Sequence, residues 1–182
     1  MKKKLLLVVS AVAMAIGLAA CSSSDETKTT EKKEVTKEAE APKVDVKKEL
    51  VKFYMDLGKR INAKDGDLNA YVAKAAKAAA PDAKPEDAPT AEEKAKASEA
   101  AAAVAADLNS VQVPDALKDQ KADLEAAVKD YAASYQAKAD ELKKDAPSLD
   151  AADATFAQGE EKLKTVFESA KLMAPSLDKQ VN

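Results

Sequence analysis

Apolar side chains recur at helical spacing through most of the chain beyond residue 44, and no stretch shows the two-residue alternation of a β-strand. The first stripe of apolar positions lies on one helix face: Leu50, Tyr54, Leu57, Ile61, Leu68 and Val72. Asp65-Gly66-Asp67 interrupts it, and Asp-Gly is also a turn signal. Because the stripe continues in phase across Gly66, we expect one long helix over 44–79 rather than two.

A second predicted helix follows a loop marked by three prolines at 81, 85 and 89. Thr90 and Glu93 match a capping box, in which each side chain bonds the other residue's backbone amide. The small and apolar face of this helix carries Ala97, Ala101, Val104, Leu108 and Val111. Such small side chains let a partner helix approach closely.

Two more helices are predicted between the remaining prolines. The third begins at Pro114, which suits a first helical turn, and runs to about Asp145 with Leu117, Leu124, Val128, Tyr131, Tyr135 and Leu142 on one face. Pro147 ends it, and Ser148 is placed to cap the fourth helix. That helix carries Leu149, Ala152, Phe156, Leu163, Phe167 and Ala170 and stops before Pro175.

Four amphipathic helices joined mainly by short links predict an all-α domain over residues 43–182. An up-down-up-down four-helix bundle is the most economical arrangement. The alternative is a three-helix core with the 44–79 segment loosely attached. The pentapeptide at 146–150 recurs at 174–178, which we interpret as a proline that stops one helix before the next begins.

Composition removes several classes of function. The chain has no His, which is the commonest general base and metal ligand. The three lysines at 2–4 lie in the first twenty residues, which leaves 26 basic against 32 acidic side chains beyond them. This mildly acidic balance argues against a nucleic-acid binder and does not indicate a polybasic membrane-surface helix. We expect no metal, no cofactor and no enzymatic activity.

The first twenty-one residues have the layout of a secretory signal peptide. Basic residues at 2–4 precede an apolar stretch from Leu5 to Leu18, and a serine-rich polar segment starts soon after Cys21. A membrane-spanning helix needs about 20 apolar residues, and this stretch is shorter. The sequence therefore predicts a signal peptide over 1–20.

Leu18-Ala19-Ala20-Cys21 resembles the lipobox of bacterial lipoproteins. That resemblance implies cleavage before Cys21, attachment of diacylglycerol to its thiol, and a membrane partner on the extracytoplasmic face. Ser22 would then favour the outer membrane in a Gram-negative cell. Residues 21–42 are poor in apolar side chains and are predicted to form a disordered tether with a reach of roughly 25 Å.

The mature part resembles uncharacterised helical lipoproteins of Bacillus-like bacteria. Leu50-Val51-Lys52-Phe53-Tyr54 and the stretch from Val113 to Lys118 carry this similarity. The resemblance implies a helical, envelope-exposed domain and supplies no activity.

Tyr54, Tyr131 and Tyr135 are the candidate binding residues. Tyr131 and Tyr135 are one helical turn apart, so with Tyr54 they can line a ligand groove between helices. They can also seal a bundle core with their hydroxyls at the rim, and this second interpretation is favoured. The sequence as a whole predicts a non-catalytic module that binds an envelope protein partner. The alternative is a carrier or sensor of a small apolar ligand.

Overall fold

The computed structural model describes residues 45–181, and the predicted signal peptide at 1–20 and the predicted tether at 21–42, with Cys21, lie outside them. Throughout this range the regular structure is helical, without a strand, which confirms the all-α class. The helices are α1 (Val46–Asn62), α2 (Gly66–Ala78), α3 (Ala91–Asn109), α4 (Lys121–Glu141), α5 (Asp150–Ser169) and the short α6 (Asp178–Val181). Single 3₁₀ turns occupy Pro85–Asp87 and Asp115–Leu117.

The predicted long helix over 44–79 is wrong, because the chain divides into α1 and α2 between Asn62 and Gly66. After this break the buried side chains of the second segment are Leu68 and Tyr71, whereas Val72 is 41% exposed. Of the two stripe positions beyond the break, Leu68 is thus buried and Val72 is not.

The first segment is nevertheless part of the core. Leu50, Leu57 and Ile61 of α1 are fully buried and belong to the same apolar cluster as the other helices. Helix α1 packs against α3 and α6, so the predicted loose attachment of residues 44–79 does not describe α1.

The capping box of the second predicted helix is confirmed. Thr90 Oγ1 accepts a hydrogen bond from the Glu93 amide at 3.2 Å, and Glu93 Oε2 accepts one from the Thr90 amide at 2.8 Å. These two bonds satisfy amides that the first turn of a helix leaves without partners. The ammonium group of Lys74 on α2 also forms a salt bridge with Glu93 Oε1 at 2.6 Å, which connects α2 to the start of α3.

The third predicted helix is shorter than expected. A 3₁₀ turn follows Pro114, and α4 begins only at Lys121 and ends at Glu141 rather than near Asp145. The predicted core positions of this segment are all buried: Leu117, Leu124, Val128, Tyr131, Tyr135 and Leu142. The hydrophobic pattern therefore identified the buried face while misplacing both ends.

Each copy of the repeated pentapeptide starts a helix, but neither copy ends one, because α4 already ends at Glu141 and α5 at Ser169. The interpretation that the proline of each copy stops the preceding helix is therefore wrong. Helix α5 begins at Asp150 and α6 at Asp178, the fifth residue of each copy. Ser148 does not cap α5 strongly, since its hydroxyl lies 3.5 Å from the Asp150 amide and Leu149 occupies the cap position.

Helix α4 packs against both α3 and α5, and α2 packs against α3. Two fully or largely buried serines bond across these contacts: Ser98 to the Ala139 carbonyl and Ser134 to the Ala152 carbonyl, both at 2.7 Å. At Gly159, a Cβ would lie 2.7 Å from the Tyr131 ring and 3.1 Å from the Ala127 carbonyl oxygen. The close approach of α5 to α4 thus requires glycine at this position.

We predict that Gly159→Ala destabilises the fold by about 1–3 kcal/mol, because the added methyl overpacks against the Tyr131 ring. Gly66→Ala is the matched control, since a Cβ there meets nothing within 4 Å. The control should leave stability unchanged or raise it by up to about 1 kcal/mol, in line with helix propensity. Urea unfolding followed by circular dichroism measures both, and equal stabilities of the two variants would contradict the packing described at Gly159.

Candidate functional site

A groove of about 600 Å³ lies between α2 and α5, with α4 beneath it. Its apolar lining consists of Leu68, Val72, Leu149, Phe156 and Ala157. Its polar lining consists of Asn69, Lys138, Asp153, Glu160, Glu161, Ser176 and Asp178. The groove therefore combines an apolar part with one cation and four carboxylates, and it is more charged than the usual small-molecule cleft.

Phe156 forms the aromatic part of the floor. Its ring lies 4.8 Å from the Tyr131 ring and 6.2 Å from the Tyr135 ring, centroid to centroid. Both tyrosines belong to α4 and are buried, at 0% and 2% exposed. The three packed rings hold the groove floor in one position, because buried aromatic pairs favour specific offset or edge-on geometries.

Lys138 is the cation of the groove. Its ammonium lies 5.4 Å from the centre of the Tyr135 ring and 5.8 Å from that of Phe156, within the range of a cation–π contact. It also pairs with Asp153 Oδ1 at 2.9 Å, and only 12% of its side chain is exposed. These contacts hold the ammonium group of Lys138 in one position at the edge of the apolar floor.

Glu160 is the half-buried anion on the other side of the floor. Its Oε1 accepts hydrogen bonds from the Tyr131 hydroxyl at 2.8 Å and from the Leu177 amide at 3.0 Å, and its Oε2 lies 3.1 Å from the same amide. The carboxylate therefore joins α4, α5 and the segment before α6. Charge-assisted bonds of this kind are about twice as strong as neutral ones.

The tyrosine hydroxyls remain protonated at neutral pH. Burial, followed by the negative charge of Glu160 and the bond to it, raises the pKa of Tyr131 far above its ordinary value. Burial also raises the pKa of Tyr135, with a further contribution from the charge of Asp65. Neither hydroxyl is available as a phenolate base or nucleophile.

Tyr54, on α1, contacts the same segment before α6 that Glu160 contacts. Its hydroxyl donates to the Ser176 carbonyl at 3.0 Å, and its ring packs edge-on against Phe167 at 6.0 Å. Burial and the charge of Glu160 raise the pKa of Tyr54. This tyrosine holds the segment that carries Ser176 and Leu177 against α1.

The three predicted tyrosines do not line the groove. They lie behind it, each in contact with a residue that does: Tyr54 with Ser176, Tyr131 with Phe156 and Glu160, and Tyr135 with Phe156 and Lys138. Tyr131 and Tyr135 are buried, whereas Tyr54 is half-buried. The groove itself, formed by Lys138, Phe156 and Glu160, was missed, although Gly159 beside Glu160 was a sequence signal of a close helix contact.

Asp65, at the break between α1 and α2, is a buried carboxylate near the groove. It is 2% exposed, and among the described residues its Oδ2 has no hydrogen-bond partner. Burial is the main reason why its pKa is raised, while hydrogen bonding with Asn69 and the positive charge of Lys138 act in the opposite direction. Asp65, Lys138 and Tyr135 are therefore electrostatically coupled.

Cys21, the predicted lipidation site, lies outside the described residues. Within 45–181, no three or more His, Cys, Asp or Glu side chains are grouped so as to hold a metal ion. In the same range, none of the helices combines the length and the apolar character needed to cross a membrane. Comparison of the chain with family models, with curated proteins and with solved structures gave no match.

Proposed function

We propose that this protein is a membrane-anchored extracytoplasmic lipoprotein whose helical domain is a non-catalytic binding module. The observation that carries the binding role is the groove over Phe156, whose charged residues Lys138 and Glu160 are each held by several contacts. Lys138 is fixed by Asp153 and two rings, and Glu160 by Tyr131 and Leu177. A preformed site of this kind loses little entropy when it binds a partner.

The non-catalytic character is supported by how the hydroxyl groups are used. Ser98 and Ser134 are buried and donate to carbonyls of the neighbouring helices. A serine nucleophile requires an adjacent base, and these serines contact backbone oxygen instead. Tyr131 and Tyr135 have raised pKa values. Because their hydroxyls stay protonated at neutral pH, both tyrosines are suited to packing rather than to proton transfer.

An envelope protein is the favoured partner. Apolar side chains of such a protein can enter the groove between Leu68, Val72 and Phe156, while Lys138 and Glu160 offer charge at its two edges. The second candidate is a small ligand with an apolar body, because about 600 Å³ falls within the usual size of small-molecule sites.

The proposed location follows from the lipobox. Lipid on Cys21 would hold the domain at the extracytoplasmic face of the cell membrane, or at the outer membrane of a Gram-negative cell. We also propose an up-down-up-down order for the long helical segments, supported by the packing of consecutive helices α2 to α5 on one another.

The anchor makes a direct prediction. Membrane-purified protein should begin at Cys21 and carry the mass of diacylglycerol, because acyl chains on this residue supply the attachment to the bilayer. Cys21→Ser should abolish the added mass and leave the signal peptide uncleaved, as intact-mass spectrometry would show. An unmodified Cys21 in the membrane fraction would refute the lipoprotein assignment.

The groove makes a second prediction, tested in intact cells with a photo-crosslinking side chain at Val72. We expect one dominant crosslinked protein, reduced at least tenfold by Ala157→Leu, because the larger side chain fills the groove. Ala133→Leu is the control, since Ala133 is exposed and does not line the groove.

Native mass spectrometry of the same variants distinguishes the two candidates. A bound small molecule that Ala157→Leu removes would favour the ligand carrier over the protein partner. Scattered crosslinks that neither substitution changes, together with no bound molecule, would contradict both.

A further inference from the structure

A second surface, separate from the groove, lies along the exposed side of α1. Lys48, Val51, Lys52, Met55 and Lys59 are exposed and follow one another at helical spacing. They border a shallow cavity of about 720 Å³ that also includes Asp45 and Leu172. We call Lys48, Val51, Lys52, Met55 and Lys59, together with Leu172 and Met173, the basic face.

The apolar part of the basic face is exposed. Val51 is 43%, Met55 42% and Met173 91% exposed. Lys171, which follows α5, has a positive φ of 57°. Leu172 borders the cavity, and Met173 is the next residue along the chain. Lysines around exposed apolar side chains are the composition of a surface that lies on anionic lipid headgroups.

The charge of this face is opposite to that of the mature chain. Beyond residue 20 the chain has six more acidic than basic side chains. On the basic face, three lysines border the cavity together with Lys47, against Asp45 and Asp56. Lys52 pairs with Glu49 at 2.7 Å and Asp56 with Arg60 at 2.7 Å, and both are exposed pairs that contribute little to stability. The chain is therefore acidic in net charge but has a locally basic surface on α1.

The position of the basic face along the chain indicates which surface it contacts. Asp45, the first described residue, borders the cavity and caps the start of α1. The chain from Ser22 to Val44 comprises 23 residues, which in any conformation span at most about 80 Å. Of the described helices, α1 is therefore the one nearest to Cys21 along the chain. Tethering of this kind raises the effective concentration at the surface to the millimolar range, so weak docking suffices.

We propose that the basic face docks on the anionic lipid surface of the membrane that holds the protein. This inference rests on the proposed anchor at Cys21 and goes beyond it, because it assigns an orientation. With α1 against the lipid, the lysines contact phosphate-bearing headgroups, and Met55 and Met173 enter the boundary between headgroups and acyl chains.

The test uses the full lipidated chain with an environment-sensitive fluorophore attached through Met173→Cys. Because Cys21 is the chain's single cysteine and carries lipid, the introduced thiol is the one that reacts. A fluorophore attached through Ala133→Cys is the control. Vesicles of pure phosphatidylcholine are compared with vesicles containing phosphatidylglycerol, with lipid-borne quenchers in both.

We expect strong quenching at position 173 on phosphatidylglycerol vesicles, little on phosphatidylcholine, and little at position 133 on either. Each lysine near an anionic surface multiplies the binding constant about fivefold, so Lys48→Gln, Lys52→Gln and Lys59→Gln together should lower the docking constant about 100-fold. The same change at Lys118, Lys121 and Lys129, all exposed, should leave the docking constant within about twofold of its original value.

Equal quenching at 173 and 133 on phosphatidylglycerol would overturn the proposal, as would equal effects of the two lysine sets. Fluorescence transfer between labelled copies in place of lipid quenching would show that a second copy covers the face, which also overturns it. Co-flotation with phosphatidylcholine vesicles reports the anchor alone. Failure of the anchor is therefore distinguished from failure of the docking.

Discussion

The hydrogen bond between the Tyr131 hydroxyl and the Glu160 carboxylate is the interaction on which the site depends. It joins α4 to α5 at the point where Gly159 allows the two helices to approach closely. The same carboxylate accepts the Leu177 amide and so fixes the segment before α6. That segment supplies Ser176 to the groove and leads into Asp178, the first residue of α6, so one carboxylate positions both the groove floor and one of its walls.

Other contacts reinforce this segment from the side of α1 and α2. Asn62 Nδ2 donates to the Gln180 carbonyl at 3.1 Å, and Asn69 Nδ2 donates to the Val181 carbonyl at 2.9 Å. Leu177 and Val181 are buried in the common apolar cluster. These bonds satisfy backbone carbonyls near the end of the described chain, where a short helix leaves several of them without intrahelical partners. The C-terminal segment thus connects α1, α2 and α5 and contributes Leu177 and Val181 to the common core.

Sequence reasoning recovered the features that local physics determines. The capping box of Thr90 and Glu93, the helix starts at the end of each repeated pentapeptide, and the buried face of α4 all follow from neighbouring residues. The break at Asp65 was missed because the apolar positions keep their helical spacing across it. That spacing does not show whether the chain changes direction between two helices. The groove was missed because Lys138, Phe156 and Glu160 come together only when α4 packs on α5, and the pattern of one helix does not specify its partner. Tyr131 and Tyr135 were predicted as candidates, yet their role is to support residues that the sequence did not single out.

Native-state hydrogen exchange of the Leu177 amide tests most directly whether Glu160 holds the groove wall. Glu160→Ala should accelerate exchange of this amide by about 10- to 100-fold, since a hydrogen bond to a charged group contributes about 1.5–3 kcal/mol. The amides in the centre of α3 should exchange at unchanged rates, because the loss is local. Unchanged exchange at Leu177, or equal acceleration at Leu177 and in α3, would contradict the role assigned to Glu160.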